Sequence, residues 1–247
     1  MSSPIGRSLR IYYAPGRAAA LDAFHRRFLG PGELAFDIGA HVGDRTASFR
    51  RLGARVVAVE PQPRLARLLR LLFGRDAGVV RIAALVGAAE GEAVLRLNSA
   101  NPTVATASPD FIAAADGAPG WEGQRWDMAL PRPVTTLDAL IAAHGRPDFV
   151  KIDVEGYEAA ALAGLSLAPR ALSFEFTTIQ RGVARDCLAR LATLGYGHFN
   201  ACLGEGMRFA HAAPIGAQAM AEWIAALPAE ANSGDVYAGL EPARLMG

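Results

Sequence analysis

Acidic side chains recur at the ends of short apolar runs in this chain, and two such ends run into glycine turns. Asp37-Ile38-Gly39-Ala40-His41-Val42-Gly43 follows an apolar run from Leu34 and precedes a segment of helical pattern. Glycine in that context permits positive φ and lets backbone approach a ligand at the carboxyl edge of a sheet. A carboxylate at Asp37 repels a pyrophosphate, yet accepts hydrogen bonds from an ammonium group. The turn therefore favours a cofactor with a cationic amino-acid end, such as S-adenosylmethionine, over NAD. Glu60 closes the next apolar run and is followed by Pro61, where an acid can accept both hydroxyls of an adenosine ribose. The plainer alternative is that Glu60 caps the following helix.

The second charged end is Lys151-Ile152-Asp153-Val154-Glu155-Gly156-Tyr157-Glu158, at the close of the run from Phe149. A carboxylate beside an acceptor hydroxyl can take its proton during transfer to the oxygen, which makes Asp153 the first candidate base and Glu155 the second. The same two acids have the hard oxygens to hold magnesium or calcium. They could equally cap the amides of the next helix. Lys151, the only lysine among 25 basic residues, could pair with one of these acids or with Glu175, which ends a later strand.

These positions require a parallel sheet with crossover helices, and the alternation of apolar runs with helical periods supplies one. Strands are expected at Leu34–Asp37, Arg55–Val59, Val79–Ala83, Phe149–Asp153 and Ala171–Phe176. Helices are expected at Arg45–Leu52, Arg64–Phe73, Thr136–Ala143, Glu155–Leu165 and Ala184–Leu194. Glu92–Leu97 reads as a short extra strand, and His198–Leu203 and Val236–Ala238 as strands of the tail. Residues 1–33 read as an N-terminal helical cap, with a helix near Ala18–Phe28 against the sheet, and 34–247 as one catalytic domain. Residues 98–132 lose periodicity among prolines and glycines and read as a lid-like insertion. Trp121 and Trp126 within it could stack on a flat ligand or pack the lid.

At 247 residues, 51% hydrophobic and 20% charged, the chain suits a single globular domain. A formal charge of +1 provides no field to gather nucleic acid. Cys187 and Cys202 form no metal-binding pattern and read as core residues. No apolar run approaches a membrane span or a signal peptide, so a cytoplasmic protein is expected. His198 and His211 read as structural or surface residues.

The motifs resemble those of the FkbM-type methyltransferases. The likeness rests on Asp37-Ile38-Gly39-Ala40-His41-Val42-Gly43 with Asp44 and Thr46, on Ala58-Val59-Glu60-Pro61-Gln62-Pro63, on Val134-Thr135-Thr136-Leu137-Asp138, and on Lys151 to Glu158. Agreement is weaker through Phe174-Glu175. His41 and Phe73 depart from the pattern, each standing where the family has asparagine. The resemblance implies a Rossmann-like class I methyltransferase fold with a mostly parallel seven-stranded sheet and helices on both faces. It also implies O-methylation from S-adenosylmethionine onto a sugar, glycan or polyketide-like metabolite. The expected cofactor contacts are Asp37, Gly39, Ala40, His41, Gly43, Thr46, Glu60, Pro61 and Ala84; the expected catalytic set is Asp153, Glu155, Lys151 and Glu175, with a divalent cation at Asp153 and Glu155 left open. The expected partner is a small-molecule or glycan acceptor, and assembly into a homo-oligomer stays open. An NAD-linked oxidoreductase and a non-catalytic cofactor-binding scaffold are the competing readings.

Overall fold

The structure, a computed structural model, describes residues 3–247; the first two residues of the expected N-terminal cap lie outside them. In chain order the strands are β1 (Leu34–Ile38), β2 (Arg55–Val59), β3 (Val79–Ile82), β4 (Leu85–Val86), β5 (Gly91–Leu97), β6 (Met128–Thr135), β7 (Phe149–Ile152), β8 (Ala171–Thr177), β9 (His198–Leu203) and β10 (Ser233–Gly239). The helices are α1 (Pro4–Tyr12), α2 (Arg17–His25), α3 (Asp44–Arg51), α4 (Pro63–Phe73), α5 (Pro109–Ala115), α6 (Leu137–His144), α7 (Glu158–Ala163), α8 (Arg181–Thr193) and α9 (Ala217–Ala226).

Seven strands form the main sheet in the order β3-β2-β1-β7-β8-β10-β9. Pairing is parallel from β3 through β8, and β10 runs antiparallel between β8 and β9. The chain works outward from β1 to β3, then returns to the other side of β1 with β7. That reversal makes a crevice at the carboxyl ends of β1 and β7, where open α/β sheets receive ligands.

Alternation along the buried strands divides the core between two faces. Phe36, Ile38, Val57, Val59, Val150, Ile152 and Phe174 pack with Leu137 and Leu140 of α6, Leu162 of α7, Leu188 of α8 and Ile224 of α9. Ala35, Val56, Ala58 and Phe149 face the other way and pack with Phe24 of α2, Phe49 of α3 and Leu69 and Phe73 of α4. Phe28, just after α2, stacks on Phe149 with ring centroids 4.7 Å apart, which seats the N-terminal segment on the sheet. Both cysteines are free and buried. Among the described residues no helix is long and apolar enough to cross a membrane.

Two expected elements are corrected. The supposed lid ends in a strand, because β6 pairs antiparallel with β5 from Met128 to Val134. Pro131 and Pro133 concealed it; they occupy alternate positions where β5 is β6's only described sheet partner, so the missing N–H groups break no ladder between two neighbours. The other correction is the helix expected to begin at Glu155, which begins at Glu158. Glu155 and Gly156 have φ of 53° and 85°, in the left-handed region that a right-handed helix excludes.

Candidate functional site

One cavity of about 900 Å³, open mouth included, lies over the carboxyl ends of β1, β2 and β7. Its wall collects Asp37, Gly39, Ala40, His41, Glu60, Pro61, Ala84, Lys151, Asp153, Glu155 and Glu175 from the expected set. Thr46 and Gly43 do not line it. Thr46 stands behind the wall, donating from Oγ1 to Asp37 Oδ2 at 2.6 Å. Gly43 starts α3 with φ of 80°, and a Cβ there would come within 2.6 Å of Phe73 and 2.7 Å of Leu69. Phe73 thus fills the space that Gly43 leaves.

Asp37 is fully buried, and its Oδ1 has no partner. Burial raises its carboxyl above the ordinary value, opposed by the Lys151 charge and the Thr46 hydroxyl. A buried carboxylate with one orphaned oxygen fits a cationic group in the cavity. Glu60 ties the glycine loop to the start of α4. His41 N–H donates to its Oε2 and Gln62 N–H to its Oε1, both at 2.8 Å. A carboxylate has about four acceptor sites, so two remain for vicinal hydroxyls. The residues present therefore fit the adenosine and ammonium ends of S-adenosylmethionine.

On the neighbouring strand Lys151 stands in register with Asp37, and its Nζ bonds Asp153 Oδ2 at 2.7 Å. One carboxylate oxygen from each of Asp153, Glu155 and Glu175 lies within 4.8 Å of the others. Glu175 Oε2 has no partner. The capping alternative for Asp153 and Glu155 gives way to Glu158, whose Oε1 accepts from Val154 N–H at 3.0 Å and Gly156 N–H at 3.2 Å. Asp153 and Glu155 are thereby spared for the cavity. Trp121 and Trp126 pack the insertion: their indole N–H groups reach Asn232 and the Val104 carbonyl, and both rings meet Phe111 edge-on.

The sequence reading missed several wall residues. Tyr12 closes one side, its ring 5.3 Å from that of His41. Asp44, Arg45 and Glu205 also line the cavity, as do Leu95 of β5, Tyr157, and Thr103, Ala105 and Ala107 of the insertion. Of these, only Asp44 and Tyr157 stood inside a recognised motif.

Burial raises the Glu60 and Glu158 carboxyls to about 7. Burial, then repulsion from Asp153, lifts Glu155 and Glu175 well above the ordinary range. The folded chain thus keeps protons that ordinary carboxylates in the unfolded chain have released, and stability falls as pH rises toward the folded values. His25 and His41, lowered by burial to about 3 and about 4, act in the opposite sense, but only below the ordinary histidine value of 6.5. From about pH 6.5 upward the acids set the sign. The ligand-free protein should melt lower at about pH 8 than at about pH 6.5, by roughly 2–4 °C for each kcal/mol involved. Thermal unfolding that shows a rise across that interval would mean these acids are ionised in the fold.

The methyltransferase FkbM domain family matches residues 37–194. No curated protein matches the chain. A TehB-like SAM-dependent methyltransferase from Corynebacterium glutamicum is similar in structure at 11% identity, covering 95% of each chain with a TM-score of 0.47. A SAM-dependent O-methyltransferase from Thermotoga maritima is similar at 11% identity, over 96% of this chain and 71% of that one, with a TM-score of 0.46. A precorrin-6y C5,15-methyltransferase from Geobacter metallireducens is similar at 12% identity, over 91% of this chain and 88% of that one, with a TM-score of 0.45.

Proposed function

The chain belongs to the FkbM methyltransferase family, and from that premise we propose that it methylates a hydroxyl oxygen on a sugar, glycan or polyketide-like metabolite. The cofactor of this family, S-adenosylmethionine, would supply a sulfonium-bound methyl group whose carbon an acceptor oxygen can attack in line, with the thioether S-adenosylhomocysteine as the leaving group. The residues of the chain do the rest. Asp37 meets the ammonium, Glu60 accepts the ribose hydroxyls, and Gly39, Ala40, His41, Pro61 and Ala84 shape the wall around them. Asp153 accepts the acceptor's proton, and Lys151 positions its carboxylate.

The observation that carries this reading is the placement of two acids on one wall: buried Asp37 with its orphaned Oδ1, and Asp153 paired to Lys151. The Asp37 charge also argues against a dinucleotide, as its repulsion of phosphate did at the outset. Asp153, Glu155 and Glu175 are close enough to share a divalent cation. We assign Asp153 to proton acceptance instead, because the Lys151 ammonium already offsets its charge and would repel an incoming cation.

The test offers S-adenosylmethionine labelled in its methyl group to hydroxyl, amine and carboxyl acceptors, with and without chelator. Label should enter hydroxyl acceptors alone, and chelation should leave the rate unchanged. Label on nitrogen or carboxyl oxygen overturns the acceptor class, and loss of transfer on chelation reassigns the acids to an ion.

A further inference from the structure

S-adenosylmethionine carries a carboxylate as well as an ammonium, and the cavity must answer both charges. Permanent cations on its wall are Arg45 and Lys151. His41 joins neither, since burial lowers it to about 4. The Lys151 ammonium is taken by Asp153 at 2.7 Å and stands beside the Asp37 carboxylate. Arg45 lies at the start of α3, directly beyond the glycine loop, with its side chain 9% exposed.

The fork of Arg45 is already filled by carboxylates of the chain itself. Nη1 donates to Asp44 Oδ2 at 2.6 Å and Nη2 to Glu205 Oε2 at 2.6 Å. The two acids differ in mobility. Asp44 is next to Arg45 in sequence and buried, so it is a fixed partner. Glu205 comes from the turn after β9, and its side chain is 48% exposed at the edge of the cavity. Arg17 Nη2 also reaches Glu205 Oε2, at 2.5 Å, so the carboxylate has a second guanidinium to rest on when it leaves the first.

Resting on the assignment of S-adenosylmethionine to this cavity, we propose that Arg45 binds the cofactor's α-carboxylate and that Glu205 fills that place until the cofactor displaces it. The chain thereby spares a nearly buried guanidinium the cost of standing half-paired in the empty site. It also imposes a charge requirement. A ligand without a carboxylate leaves the Arg45–Glu205 pair closed and gains nothing from Arg45.

Isothermal titration of the full chain with S-adenosylmethionine, decarboxylated S-adenosylmethionine and 5′-methylthioadenosine tests this. The decarboxylated compound should bind roughly 10- to 100-fold more weakly than S-adenosylmethionine, the loss expected for charge-assisted hydrogen bonds. Glu205→Gln, whose amide oxygen can still accept from Arg45 in the empty site and whose melting temperature checks that the fold is kept, should widen that ratio by roughly tenfold, because the competing charge is gone while the fork remains. Equal affinities for the first two ligands in the unaltered protein would overturn the Arg45 assignment. A ratio unchanged in Glu205→Gln would make Glu205 a static partner and overturn the displacement. Failure of all three ligands to bind removes the cofactor assignment itself, and this inference with it.

Discussion

Asp153→Asn should slow methyl transfer by roughly 10²- to 10⁴-fold, the range for losing a positioned general base, while cofactor affinity changes little. Asp153, Glu155 and Glu175 share one part of the cavity wall, and their surroundings separate them. Burial, then repulsion from Asp153, pushes Glu155 and Glu175 toward the protonated form, which disfavours them as proton acceptors. Asp153 is in an ion pair with Lys151, and its side chain is 31% exposed toward the cavity mouth. Asparagine preserves the shape and a carbonyl oxygen for Lys151 but has no charge with which to take a proton. Cofactor binding rests on Asp37 and Glu60, which the change leaves alone. Rates under saturating cofactor, paired with calorimetric affinities, separate the two effects. Unchanged turnover in Asp153→Asn would move the base elsewhere, and a matched loss of affinity would place Asp153 on the cofactor instead.

Those acids were legible in the sequence because a strand buried on both faces reads as an apolar run, and a charge that ends such a run must sit at the sheet's edge. Asp37, Glu60 and Asp153 all announced themselves that way. Arg45 and Glu205 did not. Arginine is the default base of this chain, so one more at the head of a helix carried no signal, and its partner lies 160 residues away in a turn of the tail. Tyr12 was hidden for a similar reason: no motif in the N-terminal segment shows that α1 reaches His41. The strand β6 was lost to its prolines, whose usual message is a break, and only pairing with β5 reveals that their missing donors harm nothing. The late start of α7 followed from backbone geometry at Glu155 and Gly156 that composition does not encode. Local pattern therefore located the strand-end acids, while everything created by contacts between distant segments required the fold.

Gly39→Ala should abolish cofactor binding and destabilise the chain by about 3 kcal/mol or more, the range in which specific backbone strain rather than surface change is at work. Gly39 has φ of 78°, and a Cβ there would fall 1.8 Å from the Asp153 carbonyl oxygen and 2.9 Å from its carbon. Both neighbours are backbone, so no side-chain rotation relieves the overlap. The loop after β1 and the loop after β7 would have to part, and Asp153 N–H, which donates to Ile38 O at 3.0 Å, holds them together at that point. Gly123→Ala supplies the control, because Gly123 has a similar φ of 75° with nothing within 4 Å of an added Cβ. It carries the cost of the left-handed backbone alone, about 1–2 kcal/mol. The excess in Gly39→Ala then measures the close approach of the two loops. Because that approach seats Asp153 against the glycine turn, Gly39→Ala should lose binding and transfer together, whereas Asp153→Asn loses transfer alone. Melting temperatures and cofactor titrations of both glycine variants decide the point: if Gly39→Ala melts with Gly123→Ala and still binds cofactor, the two loops are not in the contact that this site requires.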